Sequence, residues 1–129
     1  MRGYAATAIF TAEERLLLGE AERFVARLYD PDGEVRCHEV ARAFQETWPE
    51  YRGIALEVVD GTFGIVDHSW IEAWNGPRKS VLDVYSVGRL PIVQLIHVNF
   101  KFPLPFNSGK PRDDVRRDVI SQLRKEGWG

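Results

Sequence analysis

The chain has 129 residues, of which 44% are hydrophobic and 28% are charged, which is typical of one globular domain and excludes a disordered chain. Its formal net charge is −2, which argues against a protein that coats nucleic acid or an anionic membrane, and we expect neither as a partner. The one cysteine excludes an intrachain disulfide and a structural zinc site built on paired thiolates.

The predicted elements begin with two helices. Thr11 and Glu14 fit a capping box, and apolar residues then recur at helical spacing, which predicts an amphipathic helix over residues 12–29. Residues 30–33, Asp-Pro-Asp-Gly, predict a turn. A second helix is predicted over about 37–48, with its apolar residues on one face.

Beyond residue 53 the apolar period changes to two, which predicts strands grouped in one sheet. Helices followed by grouped strands favour an α+β class, with the N-terminal helices packed on an antiparallel sheet. The predicted elements are strands at 54–59 and 63–66 around a turn at 60–62, a hairpin of strands at 68–74 and 80–85, a strand at 92–100, a proline-rich loop at 102–109 and a C-terminal helix at 111–126.

No linker or repeat divides the sequence, so we expect a single domain over residues 1–129. Residues 1–10 lack the apolar core of a secretory signal and are too short to span a bilayer, which favours a cytoplasmic location. The basic residues between 110 and 125 alternate with aspartates, so we interpret them as the solvated face of the last helix.

Cys37 lies where the second helix is predicted to begin, and this position suits a reactive thiol. A helix N-terminus favours the thiolate, which is the nucleophilic form of cysteine. The N–H groups of the first helical turn have no partner within the helix and can face an oxyanion. Nucleophilic catalysis also needs a histidine base and a third group that orients its ring.

His68 and Asp83 are the candidates for the base and the orienting group, because they lie in adjacent predicted strands. A turn near Gly76 with an odd-sum register places the two side chains on the same face of the sheet, whereas an even-sum register separates them. Asp83 lies in an apolar strand, where a carboxylate needs a partner, and His68 is the candidate.

These motifs together resemble the core of the transglutaminase-like and papain-like cysteine enzymes, in particular minimal bacterial members. The resemblance covers about residues 33–85, and three motifs carry it: a cysteine that opens a helix with small residues on its face, a His-x-Trp strand, and an aspartate fifteen residues after the histidine. In this sequence they are Cys37, His68-Ser69-Trp70 and Leu82-Asp83-Val84.

The resemblance implies a papain/transglutaminase-like fold and a cysteine-dependent hydrolase or acyl transferase that acts on amide bonds of a protein or peptide. Cys37 is then the nucleophile, His68 the general base and acid, and Asp83 the group that orients His68. Trp70 would shield this pair from water and border the substrate. The family chemistry needs no metal or organic cofactor.

Less specific interpretations stay open for the same residues. Cys37 also fits a small core residue, His68 a structural histidine, and Asp83 a turn cap or a partner of Arg78 or Arg89. The domain would then be a catalytically silent protein-binding member of the same fold. A third possibility is an effector-type or toxin-type glutamine deamidase, which shares the triad and has a specific protein target.

The other candidate residues fit structural roles better. His38 is next to Cys37, but neighbouring side chains on a helix diverge by about 100°, so we expect a surface histidine. His97 is predicted to be structural, and a metal site made of His68, His97 and Asp83 has no characteristic spacing. In Asp67-His68-Ser69 adjacent strand positions face opposite ways, which argues against a serine triad.

Overall fold

The computed structural model describes residues 10–27, 37–84, 93–97 and 106–110. Within these residues two helices precede the strands of one antiparallel sheet, which confirms the α+β class. The elements are α1 (Ala12–Ala26), α2 (Cys37–Thr47), β1 (Glu50–Tyr51), β2 (Ile54–Phe63), β3 (Val66–Asn75), β4 (Arg78–Asp83), β5 (Gln94–His97) and β6 (Phe106–Ser108).

Helix α1 begins with the predicted capping box. The Thr11 hydroxyl accepts the Glu14 N–H at 3.1 Å, and the Glu14 carboxylate accepts the Thr11 N–H at 2.9 Å. Glu14 is only 2% exposed and also accepts a hydrogen bond from Arg78 at 2.9 Å, with Asn75 at 3.4 Å. The residue that caps α1 therefore also attaches the helix to the β3–β4 hairpin.

The sheet has the strand order β1-β2-β3-β4-β5, and β6 also pairs with β2. Strand β1 pairs with the start of β2 and β6 with its end, so these two short strands share one edge of β2. The long β2–β3 hairpin is continuous from Ala55↔Trp74 to Phe63↔Val66.

The turn predicted at 60–62 is wrong, because β2 continues through these residues and the chain reverses at Gly64 and Ile65. Gly64 has a φ of 63°, a conformation that glycine adopts without strain. Gly61 is needed for a different reason, since a Cβ there would lie 2.1 Å from the backbone oxygen of Asn107 in β6. Glycine permits that close strand pairing. The pairing also means that part of the loop predicted at 102–109 is strand β6.

The hairpin predicted on either side of Gly76 is confirmed as β3 and β4, and Gly76 adopts a φ of 62° in its turn. Ile71 pairs with Leu82, which is the odd-sum register on which the His68–Asp83 prediction depends. Strand β5 lies within the strand predicted at 92–100. The turn predicted at 30–33 and the helix predicted at 111–126 lie outside the described residues.

Both helices contribute to a hydrophobic core with one face of the sheet. Phe24 of α1 and Phe44 of α2 meet edge to face at 5.2 Å between ring centroids, and Ile71 and Leu82 complete this core from the sheet. Side chains alternate along a strand, so Trp70 and its neighbours at even positions of β3 lie on the opposite face. None of the helices within the described residues is long and apolar enough to span a membrane.

Candidate active site

Cys37 is the first residue of α2, as the sequence predicts, and its side chain is half-buried. The imidazole side chains of His38 and His68 both act on the thiol, and their hydrogen bonding lowers its pKa. The nucleophile candidate therefore meets the predicted base and also a second histidine, at the end of a helix where a negative charge is favoured.

His68 and Asp83 form a buried pair, each only 1% exposed. The His68 Nε2 atom lies 3.1 Å from Oδ1 and 3.0 Å from Oδ2 of Asp83. The odd-sum register places Asp83 diagonally across from His68 on the same face of the sheet, which explains the contact. Of the two alternative partners for Asp83, Arg78 forms a salt bridge with Glu14 at 2.9 Å, and Arg89 lies outside the described residues.

Aromatic rings hold the His68 side chain on two sides. Trp70 is buried and stacks on His68 with a centroid distance of 6.1 Å and an interplanar angle of 28°, while Phe63 contacts the ring edge to face at 6.1 Å. These rings surround the His68–Asp83 hydrogen bond with apolar surface. The bond is stronger in such a setting than it would be in water.

The surroundings of Cys37 change the pKa of its thiol. Burial alone raises this pKa, but the hydrogen bonds to His38 and His68 and the positive charge of these rings lower it, with a net value of about 6. The thiolate is the nucleophilic form of cysteine, so this lowered pKa favours a reactive Cys37.

His68 shifts in the complementary direction. Burial lowers the pKa of its imidazole, whereas the hydrogen bonds to Asp83 and then Cys37, with their negative charges, raise it to about 9. Between these two values the pair exists as a Cys37 thiolate and a His68 imidazolium.

The prediction of a surface position for His38 is wrong, because this residue is only 4% exposed. Its Nδ1 atom is hydrogen-bonded to Ser69 Oγ, and the Ser69 hydroxyl donates to Asp60 Oδ1 at 2.5 Å. Arg42, one turn after His38, donates to Asp60 Oδ2 at 2.6 Å. Helix α2 packs on β2 and β3, and the His38 side of the helix faces these strands.

The sequence holds one signal for this second cluster. Arg42 follows His38 by four residues, a spacing that puts both on one side of α2, and Asp60 is a carboxylate that such a pair can bind. Because residues 60–62 are predicted to form a turn, the sequence does not predict that Asp60 lies in a strand beside His38 and Arg42. Among the described residues, no three or more histidine, cysteine, aspartate or glutamate side chains are placed to hold a metal ion.

Comparisons with known proteins give one partial similarity. No family model matches the chain, and no solved structure matches it. A glutaminase from Rhizobium meliloti (strain 1021) is 44% identical to the chain over 69 residues, which are 54% of this chain and 19% of that protein. The chain therefore matches a small part of a longer enzyme.

Proposed function

We propose that the chain is a cysteine-dependent amide hydrolase or acyl transferase with a transglutaminase-like fold, in which Cys37, His68 and Asp83 form the catalytic triad. One observation carries the proposal: His68 is hydrogen-bonded to the buried Asp83, and Cys37, whose thiol pKa His68 lowers, opens helix α2. A nucleophile, a base and a group that orients the base are what nucleophilic cysteine catalysis requires, and these three residues supply the matching side chains.

The first half of the reaction forms an acyl-enzyme. The Cys37 thiolate attacks the carbonyl carbon of the amide, and the new C–S bond gives a tetrahedral oxyanion next to the first turn of α2, whose N–H groups have no partners within the helix. The His68 imidazolium then donates its proton to the leaving nitrogen. The C–N bond breaks, ammonia or an amine leaves, and a thioester remains on Cys37.

The second half returns the enzyme to its starting state. Neutral His68 accepts a proton from water, or from an amine acceptor, as that nucleophile attacks the thioester carbonyl. The C–S bond breaks, the product is a carboxylic acid or a new amide, and Cys37 is again a thiolate beside an imidazolium. Asp83 holds the His68 ring and stabilises its positive charge in both halves.

The similarity to a glutaminase supports an amide substrate, and within that class it favours a glutamine carboxamide over a peptide bond. The product of hydrolysis would then be glutamate and free ammonia. A triad that accepts a protein-bound glutamine is a deamidase, and one that passes the acyl group to an amine is a transglutaminase.

Product formation tests the proposal. The protein is incubated with free glutamine, with glutamine-containing peptides, and with the same peptides plus a primary amine, and the products are identified by mass spectrometry and an ammonia assay. We expect glutamate or an amine conjugate from the unmodified protein. We expect neither from Cys37→Ala, which removes the nucleophile and little volume from a half-buried site.

Ser80→Ala serves as a matched control, because it also removes a polar atom from a small side chain. Ser80 is a buried residue of β4 and does not belong to the triad. Equal product from the unmodified protein and Cys37→Ala would contradict a cysteine mechanism. No product from any of these amides would favour the catalytically silent protein-binding domain.

A further inference from the structure

The second histidine at the thiol, His38, is held by a chain of hydrogen bonds across α2, β2 and β3. Ser69 joins His38 to Asp60, and Arg42 neutralises Asp60 from the other side. Arg42 also donates to the His38 carbonyl at 3.1 Å. Ser69 is fully buried and Asp60 is nearly so. The hydrogen bonds that connect His38 to these two buried residues fix the orientation of its imidazole ring.

The hydrogen positions in this chain of bonds follow from the donors that each group possesses. A serine hydroxyl has one hydrogen, and that of Ser69 lies on the Asp60 carboxylate. Ser69 Oγ must therefore accept from His38, which puts a hydrogen on Nδ1. The second ring nitrogen, Nε2, takes no part in the Ser69 bond and lies 3.5 Å from the exposed Asp67 carboxylate.

We propose that His38 is a positioning residue for the nucleophile: its ring, fixed through Nδ1 by Ser69 and Asp60, directs an Nε2–H at the Cys37 thiolate and stabilises it together with His68. The inference rests on the proposed function and extends it, because the thiolate then has two histidine donors with different roles. His68 exchanges its proton with the substrate. His38 serves only as a hydrogen-bond donor to the thiolate.

This division of roles explains why the network around His38 is so fully connected. Ser69 cannot serve as a nucleophile, because it is buried and its hydroxyl is bonded to Asp60. Asp60 has both oxygens occupied, by Ser69 and Arg42, so it is not a base. The cluster is therefore suited to orienting one ring, which acts on Cys37 and lies 3.5 Å from the Asp67 carboxylate.

Two isosteric variants separate the roles of the two ring nitrogens. In His38→Asn the side-chain NH₂ occupies about the position of Nδ1, so it keeps the bond to Ser69 and loses the donor at Nε2. In His38→Gln the NH₂ occupies about the position of Nε2, so it keeps a donor for the thiolate and loses the one for Ser69. The measurement is the pH midpoint of Cys37 alkylation by iodoacetamide, with thermal unfolding as the control for folding.

We expect the midpoint to rise by about one pH unit in His38→Asn, which lowers the alkylation rate near the native midpoint about fivefold, and to rise less in His38→Gln. Equal midpoints in all three proteins, or a larger rise in His38→Gln than in His38→Asn, would overturn the proposal. A purely structural role through Ser69 gives the latter order.

A measurement on the unmodified protein covers the case in which neither variant folds. In ¹⁵N-histidine NMR spectra we expect the Nε2 signal of His38 to shift when Cys37 is alkylated. An unshifted Nε2 signal would contradict the contact. Ordered midpoints in a protein that forms no product from any amide would overturn the proposed function and support this role of His38.

Discussion

Asp83 is a residue whose charge, rather than its size, determines what His68 can do. Both of its oxygens lie within hydrogen-bond distance of His68 Nε2, and the contact is the largest influence that raises the pKa of His68. An asparagine fits the same space, but it lacks the negative charge and presents an NH₂ group on one side. The site should therefore keep its shape and lose its ion pair.

For Asp83→Asn we predict a lower pKa of His68 and a turnover reduced about 10²- to 10⁴-fold, since an orienting aspartate in a triad is worth that much. The pKa is measured by NMR titration of the histidine ring, and the turnover with whichever glutamine substrate the unmodified protein accepts. A variant with native turnover would show that Asp83 only satisfies a buried histidine.

The burial of His38 could not be predicted from the sequence. The helical periodicity of residues 37–48 is visible in the sequence, but periodicity alone does not say which polar residue of the helix faces the sheet. The His38 side chain is hydrogen-bonded to Ser69, which lies opposite Asp60 in the β2–β3 pairing and is far from His38 in the sequence. The proximity of His68 and Asp83 could be predicted from the sequence, whereas the burial of His38 could not.

At the scale of elements, Glu14 connects α1 to the sheet and is itself buried. It closes the capping box at the start of α1 and binds Arg78 and Asn75 of the β3–β4 hairpin, which carries His68 and Asp83. Two variants separate these roles, because glutamine can still close a capping box but carries no charge, and alanine does neither.

We predict that Glu14→Gln lowers the free energy of unfolding by about 1 kcal/mol and Glu14→Ala by about 2–4 kcal/mol, since alanine also leaves the Arg78 partner unmet. Chemical denaturation measures both values. Equal losses in the two variants would show that the capping box contributes little and that the charge pair accounts for the effect.

The elements that the sequence predicts well are those that local signals define. The capping box of α1, the start of α2 at Cys37 and the hairpin turn at Gly76 all depend on neighbouring residues. The predicted end of β2 is wrong for the opposite reason. Gly61 resembles a turn residue, but its backbone is extended because β6, distant in the sequence, pairs closely there.

At the scale of the whole molecule, the thiolate–imidazolium pair links stability to pH with two opposing signs. The raised pKa of His68 stabilises the folded state below about pH 6.5, its unfolded value, and this contribution is lost as the pH rises toward about 9. The lowered pKa of Cys37 stabilises the folded state above about pH 8.5, the unfolded value of the thiol. This contribution is lost as the pH falls toward about 6. Between about pH 6.5 and 8.5, the unfolded pKa values of His68 and Cys37, the two contributions to the free energy of unfolding change with pH in opposite directions and cancel.

We therefore predict that Cys37→Ser changes how the free energy of unfolding depends on pH. The variant keeps the Asp83 contact that raises the pKa of His68 and loses the compensating thiolate. Relative to the unmodified protein, its free energy of unfolding should decline as the pH rises from about 6.5 to 8.5. Denaturation across this range measures the difference, and a constant offset between the two proteins would contradict a linked pair.

The glutaminase similarity and the site geometry are separate arguments for the proposed amide hydrolysis. The similarity concerns half of this chain and a small part of the enzyme it matches, and it suggests amide chemistry. The geometry suggests how an amide would be attacked. Neither depends on the other, so the substrate assay and the titration of the thiol are independent tests.

The most direct test of the central claim is the pH dependence of Cys37 alkylation by iodoacetamide in the unmodified protein and in His68→Ala. Because the chain has one cysteine, the reaction reports on this thiol alone. We predict a midpoint near 6 in the unmodified protein and a clearly higher midpoint in the variant. A midpoint near the ordinary thiol value of about 8.5 in both proteins would contradict an activated thiolate and identify Cys37 as a packing residue.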